Sequence, residues 1–133
     1  MNMKRKLALA LCLALLLSLC AACGGQRGWV YDLPNGYALH CVDGQVCVEQ
    51  NGEQALSYNV TAFCAGSRYV GIRQEAGSED GTETYWFLLD TENQTFYAEE
   101  SEEDFRSDCE SFQVTDLGDW IETASRPDGA HAA

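Results

Sequence analysis

Apolar residues are distributed in two ways along the chain, as one unbroken segment near the N-terminus and as short alternating runs after it. Residues Leu7 to Ala22 are apolar apart from Ser18, and they follow a basic start that reads Met-Asn-Met-Lys-Arg-Lys. A basic start before an apolar segment of this length is typical of a secretory signal peptide. A permanent membrane-spanning helix is the alternative, but it needs roughly 20 apolar residues. We therefore predict that residues 1–22 are a signal peptide.

The end of this segment carries a motif that ends in a cysteine. Residues Leu19 to Cys23 read Leu-Cys-Ala-Ala-Cys, and two glycines follow. This motif resembles the lipobox of bacterial lipoprotein precursors, although Cys20 stands where that motif usually has leucine. The resemblance implies that Cys23 becomes the lipid-modified N-terminus and anchors the protein to the outside of the cytoplasmic membrane of a bacterium, since several acyl chains hold a protein firmly. An ordinary secretory signal with a nearby alanine cleavage site is the alternative.

Beyond a flexible tether, residues 23–28, runs rich in β-branched and aromatic residues alternate with turn signals. This spacing is typical of an antiparallel meander, because the glycine, asparagine and aspartate residues of the breaks favour chain reversal. The predicted strands are Trp29 to Leu33, Tyr37 to Val42, Val46 to Gln50, Leu56 to Val60, Tyr69 to Gln74, Thr84 to Asp90 and Thr95 to Ala98.

One later segment has helical spacing. Ser101 precedes three acidic residues, as in a helix N-terminus, and Phe105, Cys109 and Phe112 then recur at intervals of four and three. We therefore predict a single α+β domain over residues 29–122, in which one short helix packs on an antiparallel sheet of about six strands. Residues 123–133 are mostly small or polar and are predicted to be a disordered tail.

The charge of the mature part limits the class of partner. All 21 acidic residues follow residue 22, against five arginines and no lysine, so the side-chain charge of this part is −16. Such a surface repels phosphate backbones and anionic lipid heads, which excludes nucleic acid as a partner and leaves membrane attachment to the lipid on Cys23. It favours a positively charged partner, or simply solubility.

The mature part also contains four cysteines besides Cys23, namely Cys41, Cys47, Cys64 and Cys109. An even number of cysteines in an exported chain favours two disulfides. A three-residue loop, Asp43 to Gln45, would set Cys41 opposite Cys47 and leave Cys64 to pair with Cys109. A two-residue loop would set Cys41 against Val46 instead. The spacings lack a Cys-x-x-Cys unit, so no metal site is predicted.

Candidate chemistry is scarce in the rest of the chain. His40 and His131 are the only histidines, and neither belongs to a recognisable catalytic or cofactor-binding motif, so no catalytic residue or cofactor is predicted. Aromatic residues are dense on the predicted strands, where core packing explains most of them. In the run Tyr85, Trp86 and Phe87, alternation turns Trp86 away from its two neighbours. One side of this strand is therefore a candidate binding face.

The run from Tyr85 to Tyr97, with the segment from Ser101 to Phe105, is similar to a pattern in many small uncharacterised bacterial proteins. The similarity implies a strand, a hairpin turn, a second strand and a capped helix, and it implies no activity.

These observations predict a lipid-anchored cell-envelope protein that is a non-enzymatic binding or interaction module, with a protein or envelope component as its partner. One alternative is a small envelope hydrolase that uses acidic residues. The other is an inhibitor or immunity-type lipoprotein that blocks a basic partner.

Overall fold

The computed structural model describes residues 28–133, and within them the chain forms ten β-strands and one α-helix. The predicted signal peptide, the predicted lipidation site Cys23 and all but the last residue of the predicted tether lie outside the described residues. No helix in the described part of the chain is long and apolar enough to cross a membrane.

The first sheet is antiparallel and has five strands in the order β10-β1-β2-β3-β4. Its strands are β1 (Trp29–Asp32), β2 (Tyr37–Val42), β3 (Gln45–Gln50), β4 (Glu53–Leu56) and β10 (His131–Ala132). Two-residue turns join β2 to β3 at Asp43-Gly44 and β3 to β4 at Asn51-Gly52, and all four turn residues have positive φ. Such turns match the twist of the strands they join, which fixes the register of both hairpins.

The second sheet also has five antiparallel strands, in the order β8-β7-β6-β5-β9. Its strands are β5 (Val60–Ala65), β6 (Tyr69–Ser78), β7 (Gly81–Asp90), β8 (Thr95–Glu99) and β9 (Ile121–Glu122). β5 pairs with β6 only as far as Gln74, and β8 pairs with β7 only as far as Trp86. The long β6–β7 hairpin therefore projects beyond its neighbours, and we call residues 75–85 the arm.

The core lies between the two sheets, which pack face to face. Large side chains with at most 1% exposure come from both, namely Trp29 and Leu39 of the first sheet and Phe63, Ile72 and Leu89 of the second. Alternate residues of each strand point to this interface, as expected for a β-sandwich. The outward-facing residues of the second sheet are then available to a third layer.

The helix α1 (Glu102–Ser111) forms that third layer on the outer face of the second sheet. Ser101 caps it, because its Oγ accepts a hydrogen bond from the Asp104 amide at 3.1 Å. Phe105 is the buried residue of the helix, and its ring centre lies 5.4 Å from that of Trp120.

Gly71 in β6 allows the helix to approach the sheet closely. A Cβ atom at this position would lie 2.5 Å from Cys64 Sγ, 2.9 Å from Phe105 Cζ and 3.2 Å from the Trp120 ring. The first two distances are shorter than real Cβ contacts, so a side chain at position 71 would not fit between the helix and the sheet.

The predicted α+β class with antiparallel strands and one helix near the C-terminus is confirmed. The strands, however, divide between two sheets and are more numerous than predicted. The predicted strand Leu56 to Val60 is wrong, because β4 ends at Leu56 and β5 begins at Val60. Residues 57–59 carry the chain from one sheet to the other, and the Gln74 side chain donates a hydrogen bond to the Ser57 carbonyl at 2.8 Å.

The C-terminal residues, predicted to be a disordered tail, instead pack along both sheets. Thr123 Oγ1 donates a hydrogen bond to the Val60 carbonyl at 2.7 Å, and Pro127 is buried. β10 then pairs with β1, and the Ala133 amide donates to the Gly28 carbonyl at 3.1 Å. The small and polar residues of this segment predicted disorder. Composition could not show that the edge of β1 is open to a partner strand.

The cysteine arrangement also differs from the predicted one. The β2–β3 loop has two residues, so Cys41 lies opposite Val46 and Cys47 lies opposite His40. Directly opposed residues share a face of a sheet and neighbours alternate, so the side chains of Cys41 and Cys47 point to opposite faces. The Cys41–Cys47 bridge predicted from a three-residue loop is therefore wrong. All four cysteines of residues 28–133 are free thiols in this structure.

Candidate binding site

The base of the arm is the part of the sandwich where a sheet edge is left open. β8 ends at Glu99, opposite Trp86, whereas β7 continues to Gly81. In the described part of the chain, no strand pairs with the β8 side of β7 between Thr82 and Tyr85. An open edge presents main-chain donors and acceptors that can pair with an additional strand.

A shallow pocket of about 240 Å³ lies at this point, and its walls are Glu83, Thr84, Tyr85 and Glu100. The Tyr85 hydroxyl donates a hydrogen bond of 2.5 Å to Glu83 Oε2. This hydrogen bond, followed by the negative charge of Glu83, raises the pKa of Tyr85, so the phenol keeps its proton. The pocket therefore combines carboxylates with a neutral hydroxyl, a set that accepts a positively charged group.

The three aromatic residues predicted to form a binding face separate between the two sides of β7. Phe87 belongs to the core, where its ring centre is 6.2 Å from that of Phe96 in an edge-to-face contact. Tyr85 points to the same side as Phe87, but it lines the pocket on the arm. Trp86 is half-buried on the outer face, between Arg73 of β6 and Glu99 of β8.

A pair of carboxyl groups flanks Trp86 on the β8 side. The Asp108 side chain of α1 is the main cause of the raised pKa of Glu99. Burial and the charges of Asp108 and Asp104 raise it further. A second negative charge beside the first is unfavourable, so Glu99 stays protonated to a higher pH than an isolated glutamate.

An ion pair flanks Trp86 on the opposite side. Arg73 Nη2 lies 2.9 and 2.8 Å from the two carboxylate oxygens of Glu122, and Arg73 Nε donates to Thr61 Oγ1 at 3.0 Å. A groove of about 440 Å³ runs from this pair to the turn between β2 and β3, where Gly44 lines it. The base of the arm and that turn are therefore at the same end of the sandwich.

The two histidines each contact a carboxylate of a neighbouring strand. His40 Nδ1 is 2.7 Å from Glu49 Oε1, and His131 Nε2 is 3.3 Å from the carboxylate of Asp32. In residues 28–133, no group of three or more histidine, cysteine or acidic side chains could hold a metal ion.

Comparisons with protein-family models, curated proteins and solved structures find no match. A function must therefore be inferred from the geometry of the arm. The sequence indicated Tyr85 and Trp86, but it did not indicate Glu83, Glu100 or the pair of Glu99 with Asp108. The run Thr82 to Tyr85, in which threonine alternates with glutamate and tyrosine, could have indicated them. It extends the strand pattern of β7 beyond its predicted start at Thr84.

Proposed function

We propose that the domain is a non-enzymatic binding module, held outside the cytoplasmic membrane by lipid on Cys23, that binds an extended and positively charged peptide segment at the base of the arm. The end of β8 at Glu99 is the observation that carries this proposal, because it leaves the edge of β7 open beside an acidic pocket. A bound segment would continue the line of β8 and form main-chain hydrogen bonds with β7.

The charge around the open edge supports a cationic segment. Glu83 and Glu100 line the pocket, and the tip of the arm carries exposed Glu79 and Asp80. A volume of about 240 Å³ fits one long side chain better than a whole small-molecule ligand. A lysine or arginine of the segment would pair with Glu83 and Glu100, and the overall negative charge of the domain would speed the encounter.

The proposed anchor rests on the resemblance of residues 19–23 to a lipobox. The acidic surface gives no electrostatic attraction to anionic lipid heads, so the acyl groups alone would hold the domain at the membrane. The binding surface would then be displayed in the extracytoplasmic space.

The test is a titration of the mature chain with an eight-residue peptide of alternating lysine and threonine, followed by calorimetry. We expect binding that weakens with added salt and that is lost when glutamine replaces lysine. The double variant Glu83→Gln with Glu100→Gln should weaken binding about tenfold, or about 1.4 kcal/mol. N-methylation of alternate peptide nitrogens should weaken it similarly, because it removes main-chain donors.

The matched control is the double variant Glu103→Gln with Glu110→Gln, which removes the same charge from exposed positions of α1. An equal loss of affinity in this control would mean that the peptide responds only to the net charge of the domain. Unchanged binding of the N-methylated peptide would exclude strand addition.

The hydrolase alternative is favoured by one feature, the carboxyl groups of Glu99 and Asp108 beside Trp86, of which Glu99 has a raised pKa. A protonated carboxyl next to an ionised one is the arrangement that general acid catalysis requires. Product formation from envelope glycans, lost in Glu99→Gln, would establish this function. Peptide binding that survives Glu99→Gln without any turnover supports the binding module. The other alternative, an inhibitor or immunity-type lipoprotein, would use the same binding site, with a basic enzyme or toxin as its partner.

A further inference from the structure

Cys64 and Cys109 belong to the same interface, between the second sheet and the helix that covers it. The Cys64 side chain is buried on the outer face of β5, and its Sγ and Phe105 Cζ both lie within 3 Å of the same point above Gly71. Cys109 follows Phe105 by four residues, so it lies one turn further along the same face of α1.

The other two cysteines are separated by their own sheet. Cys41 points into the core between the sheets, beside Val46. Cys47 points to the outer side of the first sheet, beside His40. A bridge between them would require one strand to slip by a residue, which would also move the buried side chains of β3 to the wrong face.

We propose that oxidation of this domain forms one disulfide, between Cys64 and Cys109, and leaves Cys41 and Cys47 as thiols. This inference is independent of the proposed peptide binding. The bridge would join the helix covalently to the second sheet. It would thereby fix the position of Asp108, the neighbour of Cys109, relative to Glu99 and Trp86 on the outer face of the second sheet.

The oxidant is a disulfide, either of a small molecule or of a thiol–disulfide oxidoreductase. Cys109 is half-buried whereas Cys64 is buried, so Cys109 is the thiol that an oxidant reaches first. Its thiolate attacks one sulfur of the oxidant and releases the first thiolate of that disulfide. Cys64 then loses its proton, attacks the Cys109 sulfur and releases the second thiolate. Two protons and two electrons leave the domain, and the oxidant becomes two thiols.

Both thiols react slowly at neutral pH. Burial is the main cause that raises the pKa of Cys64 to about 12, and burial together with the charge of Asp108 raises the pKa of Cys109. Only the thiolate attacks a disulfide. The rate of bridge formation should therefore rise about tenfold for each unit by which the pH is increased, as long as the pH stays below these pKa values.

The experiment uses the mature chain incubated with oxidised glutathione, then denatured, alkylated without reduction and cleaved after arginine. Cleavage places Cys41, Cys47 and Cys64 in the peptide 28–68 and Cys109 in the peptide that begins at Ser107. Of the four cysteines other than Cys23, we expect two to be alkylated and two to be protected, with these two peptides joined until a reductant is added.

Two sets of variants identify the partner of Cys109. Cys64→Ser should abolish the joined peptide, whereas the double variant Cys41→Ser with Cys47→Ser should retain it. If Cys64→Ser does not fold, Cys109→Ser removes the same bridge at a half-exposed position. Alkylation of all four of Cys41, Cys47, Cys64 and Cys109 after oxidation would overturn the proposal. A joined peptide that persists in Cys64→Ser, or an internal bridge in the peptide 28–68, would overturn it as well.

Discussion

At the scale of single residues, Asp90 shows how a buried charge is satisfied at the end of the sandwich away from the arm. Its side chain is 3% exposed and accepts hydrogen bonds from Arg68 Nε and Nη2, both at 2.9 Å. The amides of Glu92 and Asn93 donate to Asp90 as well, at 3.2 and 3.3 Å. The Arg68 hydrogen bonds are the main cause of the lowered pKa of Asp90.

Replacement of Arg68 by alanine should therefore destabilise the fold at pH 7, because it leaves a buried carboxylate without its counter-ion. Urea unfolding measures this loss. Glu92→Gln is the matched control, since Glu92 contacts the same guanidinium at 3.2 Å but is 57% exposed. Its effect should stay below about 1 kcal/mol.

The pH dependence of this loss follows from the sign of the pKa shift. The pKa of Asp90 in the folded state lies below its unfolded value of about 3.9, so the ion pair contributes fully above that value. Its contribution disappears as the pH falls through the lower, folded pKa. The difference between wild type and Arg68→Ala should shrink over this acidic range. A difference that stays constant down to pH 2 would contradict the role given to Asp90.

At the scale of elements, two glycines of the same strand provide a matched test of how the helix meets the second sheet. Gly71 lies under Phe105, where a Cβ atom would meet atoms at 2.5 and 2.9 Å. Gly77 lies on the arm, where a Cβ atom would meet nothing within 4 Å.

Gly71→Ala should cost about 1–3 kcal/mol, because the added methyl group forces the helix or Cys64 to move. Gly77→Ala should be neutral or slightly stabilising, since alanine restricts the unfolded chain at no steric cost in a strand. Thermal unfolding followed by circular dichroism compares the two variants. Equal effects would mean that the contact above Gly71 is not tight in solution.

The elements that the sequence predicted well are those specified by neighbouring residues. β2 has its predicted bounds, and the Ser101 cap begins the helix as predicted, because alternation and capping are local properties. The open edge of β7 was not predictable, because it depends on β8 ending sooner than β7. Glu83 and Glu100 meet in a pocket only as a result of that difference in length.

At the scale of the whole molecule, the division into two sheets was the main feature that the sequence did not reveal. The same alternating strands fit one sheet or two, and the choice depends on pairings between distant residues. The segment 57–59 decides it, because the chain crosses there from β4 to β5. The place of the C-terminus depends in the same way on β1, a strand that is distant in sequence.

Removal of residues 127–133 should destabilise the domain, because it exposes the edge of β1 and removes the buried Pro127. We expect a loss of about 2 kcal/mol and a melting temperature lower by about 10 °C. His131→Ala is the control, since it removes only an exposed contact with Asp32 and leaves the backbone of β10 in place. An unchanged melting temperature after the truncation would show that β10 adds nothing to stability.

The base of the arm and the turn between β2 and β3 lie at the same end of the sandwich, and this position limits how a partner approaches. Gly28 lies against the carbonyl of Cys41, beside the turn from which the groove leads to the base of the arm. Five residue steps separate Cys23 from Gly28, and a fully extended chain of that length reaches about 17 Å. A lipid on Cys23 would thus hold the end of the sandwich that carries the arm close to the membrane surface. The partner would have to meet the domain close to the bilayer, so its cationic segment would itself be juxtamembrane.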